Sequence, residues 1–349
     1  MSSAPVIISA AAIRSAPAIS IVMPTFNRLA RLKKVIEGLT QQTLGQAFEI
    51  IVVSDGSTDG TNAYLDDVAV DLAAVGIFVR AEVQHNQGPA AARNRGIALA
   101  TAPLVLFLDD DVVPSASLLA QHLAAHERLG DAVVVIGTMS TPPDHEMSSW
   151  VSWEQVMLYK QYDAMISGRW AATARQFYTG NASVGRKYLL ASGGFDTAFR
   201  RAEDVELAYR LARSGLRFVF VPDAVGFHYA ERSFDSWLAN ATAYGRNDVI
   251  FARDRGQDWL LPVLRKEFTR RDLLTRTLTQ LCLRTPGLHR AAIPVLKRLV
   301  WLSGSLGLHS VNRKALSGAF NLCYYLGLSN ELGGWRVFLE HGVDVDVKQ

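Results

Sequence analysis

The sequence predicts an α/β protein with a Rossmann-like, mostly parallel sheet flanked by helices, followed by a C-terminal helical region. Two observations predict the sheet: apolar, β-branched runs alternate with helical apolar stripes, and polar loops follow these runs. A third observation, the change to basic and apolar residues after position 230, predicts the separate helical region. Ligands of such sheets bind at the carboxyl ends of the strands, so we expect the polar loops to share one crevice.

The elements follow one another in a regular order from residue 18. Ala18–Met23 is a strand-like run ended by Pro24, and Leu29 then begins an amphipathic helix. Further runs predict strands at Phe48–Val53, Phe78–Val83, Leu104–Leu108 and the segment AVVVIG within 130–143. Residues 150–170 are aromatic-rich without a clear period. After residue 179 the pattern predicts a Gly-rich turn, a helix over about 202–214 and a strand.

These patterns divide the chain into three parts. Residues 1–17 are expected to be a loose lead-in, because no Lys or Arg precedes its apolar run as in a secretory signal. Residues 18–230 are expected to form the catalytic domain, and 231–349 a mainly helical region. The sequence contains no run of about 18 uncharged apolar residues, so no membrane-spanning helix is predicted. The nearest candidate, 291–308, contains Pro294, Lys297, Arg298 and Gly304.

Composition excludes several classes of protein. Hydrophobic residues make up 49% of the 349 residues and charged residues 20%, which fits neither a disordered chain nor a polytopic membrane protein. The net charge of +3 is too small to indicate a nucleic-acid partner. Cys282 and Cys323 lie far apart without CxxC spacing, which argues against a disulfide framework or a zinc site and fits a reducing compartment.

The acidic triplet Asp109, Asp110 and Asp111 follows an apolar strand directly. In extended chain, Asp109 and Asp111 would point to one side and Asp110 to the other. Carboxylates on one side repel each other unless a cation joins them, and Mg²⁺ or Mn²⁺ bridges such oxygens to phosphates. The alternatives are an acidic turn that closes the strand, or a helix cap before Ser115.

Together with five other motifs, the triplet resembles the inverting family-2 glycosyltransferases of the GT-A fold. The resemblance covers Ser20 to about Tyr229 and rests on six segments in the expected order: SIVMPTFNR, EIIVVSDGSTDGT, NQGPAAARNRG, LFLDDDVVP, GNASVGRKYLLASGGFDTAF and AEDVELAYRL. Each segment alone is weakly specific. The combination implies transfer of a sugar from a nucleotide-sugar donor to an acceptor hydroxyl, in polysaccharide biosynthesis at the cell envelope.

The resemblance implies a donor site built from three loops. Pro24, Thr25, Asn27, Arg28 and Asp55 would hold the base, with the Asp55 carboxylate accepting the imide N–H of uracil or thymine. Asn86, Gly88, Arg93 and Asn94 would lie against the ribose and phosphates, and Asp109 and Asp110 near the ribose. The donor is therefore expected to be a UDP-sugar, with a dTDP-sugar in second place. The alternatives are a structural turn at Asp55 and a solvated helix residue at Arg93.

The resemblance also implies metal-assisted departure of the diphosphate and one protein base. Asp111, with Asp109 and His228, would bind Mn²⁺ or Mg²⁺. Asp204, in the acidic pair with Glu203 at the start of a helix, would be the base; the alternative is that both acids only complement the helix dipole. His228 has the alternative of a structural histidine. Gly193 and Gly194 are expected to supply turn geometry close to a sugar.

Beyond residue 231 no motif indicates chemistry. Residues 265–314 hold eleven Lys or Arg against Glu267 and Asp272. This pattern suits either helices at an anionic membrane, where a glycan or lipid-linked acceptor could be presented, or an ordinary helical subdomain. The protein is expected to be cytoplasmic, with peripheral contact at the inner face of the cell membrane as a second expectation.

Other enzyme classes fit the sequence less well. MPTFNR lacks the glycines of a sugar-phosphate nucleotidyltransferase loop, and SDGSTDGT is not the GxGxxG of a dinucleotide-binding dehydrogenase. Nothing requires the second carboxylic acid of a glycosidase. The non-enzyme alternative is a catalytically silent glycosyltransferase-like module that binds nucleotide sugar, against which Asp55, Asp109, Asp111 and Asp204 argue.

Overall fold

The computed structural model of the chain describes residues 16–285 and 287–340. Of the expected lead-in, residues 1–15 lie outside the described residues, and 16–17 have no regular structure. Two compact units are present. The first unit holds the residues up to Glu146 together with Met157–Ala230, and the second unit holds Met147–Val156 together with the residues from Glu231 onward.

The first unit is built on one sheet. Its strands among the described residues are β1 (Ile19–Thr25), β2 (Phe48–Asp55), β3 (Phe78–Gln84), β4 (Leu104–Leu108), β5 (Val112–Pro114), β6 (Val133–Ser140), β7 (Asn181–Gly185) and β8 (Arg217–His228). The order across the sheet is β3-β2-β1-β4-β7-β6-β8-β5. Strands β3, β2, β1 and β4 are mutually parallel, whereas β7 is antiparallel to both of its neighbours. The carboxyl ends of β1, β2 and β4 therefore lie at one edge.

Helices cover this sheet. They are α1 (Leu29–Thr40), α2 (Thr61–Ala74), α3 (Pro89–Leu99), α4 (Leu118–Leu129), α5 (Ser149–Ile166), α6 (Arg186–Ala191) and α7 (Glu203–Arg213). Every residue of β2 and β4 is buried, as expected of parallel strands with helices on both faces. On one face, Ile21 of β1 belongs to the same apolar cluster as Leu32 and Val35 of α1. β3 is an edge strand, and half of the Phe78 side chain is exposed.

The Gly-rich segment after Thr179 differs from its prediction. The predicted Gly-rich turn is found at Gly193 and Gly194, but Asn181–Gly185, for which no strand was predicted, forms the fully buried strand β7 between β4 and β6. Its residues are too small and polar to read as an apolar run, and only the two flanking strands make this segment extended. The aromatic segment without a clear period is helix α5.

The second unit is helical. It contains the beginning of α5 and the helices α8 (Phe234–Asp254), α9 (Leu260–Thr269), α10 (Leu273–Arg284), α11 (Leu288–Ser305), α12 (His309–Glu331) and α13 (Trp335–Glu340). Gly245 and Gly327 allow α8 and α12 to pack backbone against backbone. A Cβ at Gly245 would lie 1.9 Å from the Tyr324 carbonyl oxygen, and one at Gly327 would lie 2.0 Å from that of Thr242. None of the described helices has the length and apolarity needed to cross a membrane.

Candidate active site

The loop after β1 and the loop after β4 meet at the carboxyl edge of the sheet, because these two strands are neighbours. Thr25 Oγ1 donates a hydrogen bond to Asp110 Oδ2 across 2.7 Å. The Arg28 guanidinium contacts Asp111 Oδ2 and lies 3.3 Å from Asp110 Oδ1. Burial, and after it the charge of Asp111, raises the pKa of Asp110 to about 7, against the lowering effect of Arg28 and Thr25. The first loop thus neutralises part of the acidic triplet.

The triplet does not have the expected alternation of side chains. β4 ends at Leu108, and Asp110 and Asp111 lie in a turn before β5. Asp110 and Asp111 therefore both contact Arg28, whereas Asp109 faces another cation, Arg93. The expectation that Asp109 and Asp111 share one side was wrong, because it assumed that the strand continues through the acids.

Arg93 of α3 joins the triplet to the start of α7. Its two terminal nitrogens donate to Asp109 Oδ1 at 2.7 Å and to Glu203 Oε1 at 2.9 Å. The Arg93 side chain is only 6% exposed, so its pair with the buried Glu203 is largely shielded from water, whereas Asp109 is one-third exposed. Arg93 was predicted to contact the donor. In the structure it holds two acids of the site at a fixed separation.

Asp204 lies beside this bridge in the first turn of α7. Its Oδ1 accepts the Val205 N–H at 2.8 Å, and its other oxygen accepts no hydrogen bond from any described residue. Burial, and after it the charge of Glu203, raises the pKa of Asp204 to about 7. The residue before the pair, Ala202, has a left-handed backbone with φ of 58°. Such a conformation costs a residue with a Cβ about 1–2 kcal/mol, and strain of this kind is concentrated at functional sites.

His228 is brought to the triplet by strand pairing. Val112 of β5 is in register with His228 of β8, and the Tyr229 N–H donates to the Asp111 carbonyl at 2.8 Å. As a result His228 Nε2 lies 3.6 Å from Asp111 Oδ1. This separation is too long for a good hydrogen bond. It suits two ligands of one small cation, since donors about 2.1 Å from a shared ion lie about 3–4 Å apart.

The expected three-residue metal set is not brought together. Within residues 16–285 and 287–340, no three His, Cys, Asp or Glu side chains converge closely enough to hold an ion by themselves. Asp111 and His228 do approach each other, whereas Asp109 is paired with Arg93. An oxygen and an imidazole nitrogen are suitable donors for Mn²⁺ or Mg²⁺, which commonly take further ligands from water and phosphate. The residues present therefore fit a cation bound by two side chains and a diphosphate.

Asp55 organises the loop between β3 and α3. Its Oδ1 accepts hydrogen bonds from Gln84 Nε2 at 2.7 Å and from the Gln87 N–H at 2.8 Å, and its Oδ2 accepts the Gly88 N–H at 2.8 Å. Gly88 has φ of 93°, and a Cβ there would lie 2.9 Å from the Arg200 guanidinium. Of about four acceptor positions on a carboxylate, one on Oδ2 is left for a ligand.

The other residues that were predicted to bind the nucleotide-sugar donor differ in their surroundings. Asn27 has φ of 52°, and its side chain accepts the Thr58 N–H at 2.7 Å, which ties the loop after β1 to the loop after β2. Pro24 lies in β1, and Asn86 is exposed next to Gly56. Asn94 exchanges two hydrogen bonds with the backbone of Phe195, and the neighbouring Gly194 has φ of 72°. Asn94 therefore shapes the Gly193–Gly194 turn.

A buried histidine network was not found from the sequence. His122 of α4 contacts Ser183 Oγ at 2.8 Å and Asn181 Oδ1 at 2.9 Å, and Asn181 Nδ2 donates to the Thr138 and Ala224 carbonyls. Burial lowers the pKa of His122 to about 4, so it is neutral near pH 7. This network fixes β7 directly after Gly180, whose carbonyl lies 3.4 Å from the Asp109 nitrogen. No local sequence signal marks this network, because its members come from α4 and β7, which are far apart in the chain.

Comparisons with known proteins agree with this architecture. Residues 20–191 match the family described as Glycosyl transferase family 2. The validoxylamine A glucosyltransferase of Streptomyces hygroscopicus subsp. jinggangensis is 32% identical over 226 residues, which cover 57% of this chain and 52% of that protein. The pre-mycofactocin glycosyltransferase of Mycobacterium tuberculosis is 28% identical over 232 residues, covering 65% and 46%. The chain thus spans about half the length of these relatives.

A solved structure shows the same fold. The mannosyltransferase PcManGT from Pyrobaculum calidifontis, in complex with GDP-Man and Mn²⁺, matches with a TM-score of 0.61 and 21% identity, over 90% of this chain and 88% of that one. The predicted fold class is therefore confirmed: a mixed sheet flanked by helices, with a helical C-terminal region. Motifs and matched segment identify residues 20–191 as a glycosyltransferase family 2 domain, and the fold is similar to the GT-A fold.

Proposed function

We propose that this chain transfers a sugar from a UDP-sugar, or in second place a dTDP-sugar, to a hydroxyl of a glycan or lipid-linked acceptor with inversion at the anomeric carbon. The observation that carries the proposal is the Arg93 bridge between Asp109 and Glu203. Through it, the acidic triplet at the sheet edge and Asp204 belong to a single site. One end of this site suits a diphosphate and the other suits the acceptor hydroxyl.

Asp204 is the proposed general base. A base is most effective when its pKa lies near the working pH, and the pKa of Asp204 is about 7. Its second carboxylate oxygen is available to an acceptor hydroxyl. As the acceptor oxygen bonds to the anomeric carbon, the bond from that carbon to the diphosphate breaks. The electron pair leaves with the nucleoside diphosphate, and the hydroxyl proton moves to Asp204.

Asp111 and His228 are the proposed metal ligands. A bound Mn²⁺ or Mg²⁺ would offset the negative charge that accumulates on the departing diphosphate, in place of a protonated acid. Arg28 already contacts Asp111 and Asp110 and is about half exposed, so it can turn toward a phosphate. That PcManGT was solved with GDP-Man and Mn²⁺ supports a nucleoside diphosphate sugar and a divalent cation as the class of ligands.

Asp55 and the loops around it are proposed to hold the nucleoside. Asp55 keeps one acceptor position while its other hydrogen bonds fix Gln87 and Gly88. A rigid acceptor suits the imide N–H of uracil or thymine. Thr25, Asn27 and Arg28 lie on the adjacent loop and complete the nucleoside side of the proposed site. Peripheral contact of the basic C-terminal region with the inner face of the cell membrane is also part of the proposal.

An assay of a UDP- and dTDP-sugar panel tests this function. Thermal shift with Mn²⁺ identifies the donors, because a ligand that binds only the folded state raises its stability. Hydrolysis of the stabilising donors, and transfer to a broad set of acceptors, is then measured with Mn²⁺ and with a chelator. We expect metal-dependent turnover. Donor binding with neither hydrolysis nor transfer would instead identify a silent nucleotide-sugar-binding module.

A further inference from the structure

Helix α11 in the second unit has an apolar face that is substantially exposed. Val295, Leu299 and Leu302 of α11 and Leu306, which directly follows the last helical residue, recur at i, i+4, i+7 and i+11, so they share one side of the helix. Their exposed fractions are 62%, 40%, 49% and 69%. We call these four residues the α11 stripe. Four large apolar side chains in a row are unusual for a surface that faces only water.

The stretch of sequence that contains the α11 stripe carries charges of a single sign, although Asp235 of α8 lies beside Lys297. Between Asp272 and Glu331 the sequence contains no Asp or Glu. The basic residues in that interval are Arg276, Arg284, Arg290, Lys297, Arg298, Arg313 and Lys314. Two copies of this surface would repel each other, whereas an anionic apolar partner would be attracted. An anionic bilayer is such a partner, and basic apolar helices with exposed Trp are typical of membrane interfaces.

A cavity of about 610 Å³ opens beside the stripe, within the second unit. Its apolar walls include Trp150, Phe234, Val300 and Trp301, and Lys297 and Arg298 also line it. The Trp150 Nε1–H donates to the Arg232 carbonyl at 2.9 Å, so the hydrogen-bonding need of the indole ring is already satisfied. The volume falls in the range of about 300–1,000 Å³ that is usual for small-molecule sites.

The two cations of the cavity differ in availability. Lys297 Nζ is 2.8 Å from Asp235 Oδ1, so its charge is partly neutralised. Arg298 forms no ion pair with any residue in 16–285 or 287–340. Trp301 lines the cavity and is 70% exposed, which places an aromatic ring at the opening. An unpaired guanidinium beside an apolar cavity suits a molecule with a hydrocarbon chain and a phosphate.

We propose that the second unit binds an anionic phospholipid of a bilayer, with a lipid chain in this cavity, the phosphate on Arg298 and the α11 stripe in the apolar layer. The site deepens the membrane contact of the proposed function and does not depend on glycosyl transfer. It assigns that contact to one cavity and one helix face.

Vesicle flotation of the full chain tests the bilayer as partner. Binding is expected to vesicles of phosphatidylcholine and phosphatidylglycerol in equal parts, to weaken with salt, and to be absent with phosphatidylcholine alone. Arg298→Glu and Leu302→Glu should each lower binding at least about tenfold, since each replaces a favourable contact with an unfavourable one. Arg128→Glu on the exposed part of α4 makes the same charge change in the first unit and should have no effect.

Filling the cavity tests the chain-binding site separately. Gly304 lines the cavity, and a Cβ there meets only Asn312 Nδ2 within 4 Å, at 3.6 Å. Gly304→Leu should therefore fold, which circular dichroism checks, while its side chain occupies the cavity. Monomeric dodecyl phosphate should bind the wild type, and this variant at least about tenfold more weakly. Inorganic phosphate and dodecanol should both bind poorly, because each lacks half of the recognised chemistry.

Three outcomes would overturn the inference: equal binding to both kinds of vesicle, unchanged dodecyl phosphate affinity in Gly304→Leu, or a lipid-free dimer that Leu302→Glu dissociates. The last outcome would show that a second copy of the chain covers the stripe. Donor hydrolysis measured on the same samples separates this inference from the proposed function. Lost lipid binding with intact hydrolysis contradicts only the lipid site, and lost hydrolysis with intact lipid binding contradicts only the enzyme proposal.

Discussion

Arg93 donates to Glu203 Oε1 across 2.9 Å, and this ion pair joins residues 110 positions apart in the sequence. Both side chains are nearly inaccessible to water, and the second Arg93 nitrogen holds Asp109. A buried cation between two carboxylates fixes their spacing. It also lowers the pKa of Asp204, although burial and Glu203 outweigh that effect. Arg93 therefore affects both the stability of the fold and the pKa of Asp204.

Arg93→Met should destabilise the fold by about 3–5 kcal/mol, because it leaves the buried Glu203 carboxylate and the partly buried Asp109 carboxylate without their cation. Urea denaturation measures this change. Arg95→Met is the matched control on the same helix: Arg95 pairs with Glu82 where its side chain is 48% exposed, so the loss should stay below about 1 kcal/mol. Similar losses in the two variants would show that the Arg93 bridge contributes no more than a surface ion pair.

Asp204→Asn should lower sugar transfer by about 10²–10⁴-fold while leaving UDP affinity within about twofold, because the base acts on the acceptor and not on the nucleotide. Transfer is measured by product formation, and UDP affinity by calorimetry with Mn²⁺. Asp223→Asn, on an exposed part of β8, is the control. Near-normal turnover in Asp204→Asn would assign the base to another residue.

The transfer rate should rise with pH through about 7, because Asp204 must be ionised to accept a proton and its pKa is raised to that value. Arg93 stabilises the ionised form, so Arg93→Met, if it remains folded, should move the midpoint to higher pH. Rate profiles at saturating donor measure both midpoints. A profile that is flat from about pH 5 to 8 would contradict a base with this pKa.

Asp204→Asn should also stabilise the protein at high pH. The folded-state pKa of Asp204 is raised above its ordinary value of 3.8, so folding favours the protonated form. The wild type therefore loses stability from this group as the pH rises from about 4 to about 7, and the neutral Asn does not. The melting temperature of the variant should exceed that of the wild type near pH 8, and the difference should shrink toward pH 4. A constant difference would exclude titration of Asp204 as the cause.

Asp111→Ala and His228→Ala should each weaken Mn²⁺-dependent UDP binding at least about tenfold, since each removes one of two protein ligands. UDP binding in the presence of a chelator should change much less for His228→Ala, because His228 is proposed to act only through the metal. Titration of UDP with and without Mn²⁺ gives both affinities. If His228→Ala leaves the metal-dependent part unchanged, His228 is a structural residue of β8.

The sequence by itself determined the alternation of strands and helices, the polar loops at the strand ends and the family. These features depend on local periodicity and short motifs, which remain legible in one stretch of chain. It missed β7, because Asn181–Gly185 becomes a strand only between its two neighbours. From the family resemblance, Asp109, Asp111 and His228 were expected to bind one cation. Only the pairing of β5 with β8 brings His228 to Asp111, and Asp109 is held by Arg93 instead.

Only the tertiary structure decided which acids share a cation. Asp109, Asp110 and Asp111 are adjacent in sequence, but the turn after Leu108 directs Asp109 to Arg93 and the other two to Arg28. The reason is physical: a charge in a poorly hydrated site is stabilised by whichever opposite charge the packing brings near it, and that partner can lie far away in the sequence. The sequence also left open whether the α11 stripe is exposed. Periodicity identifies an apolar face, but it does not show whether another helix covers that face.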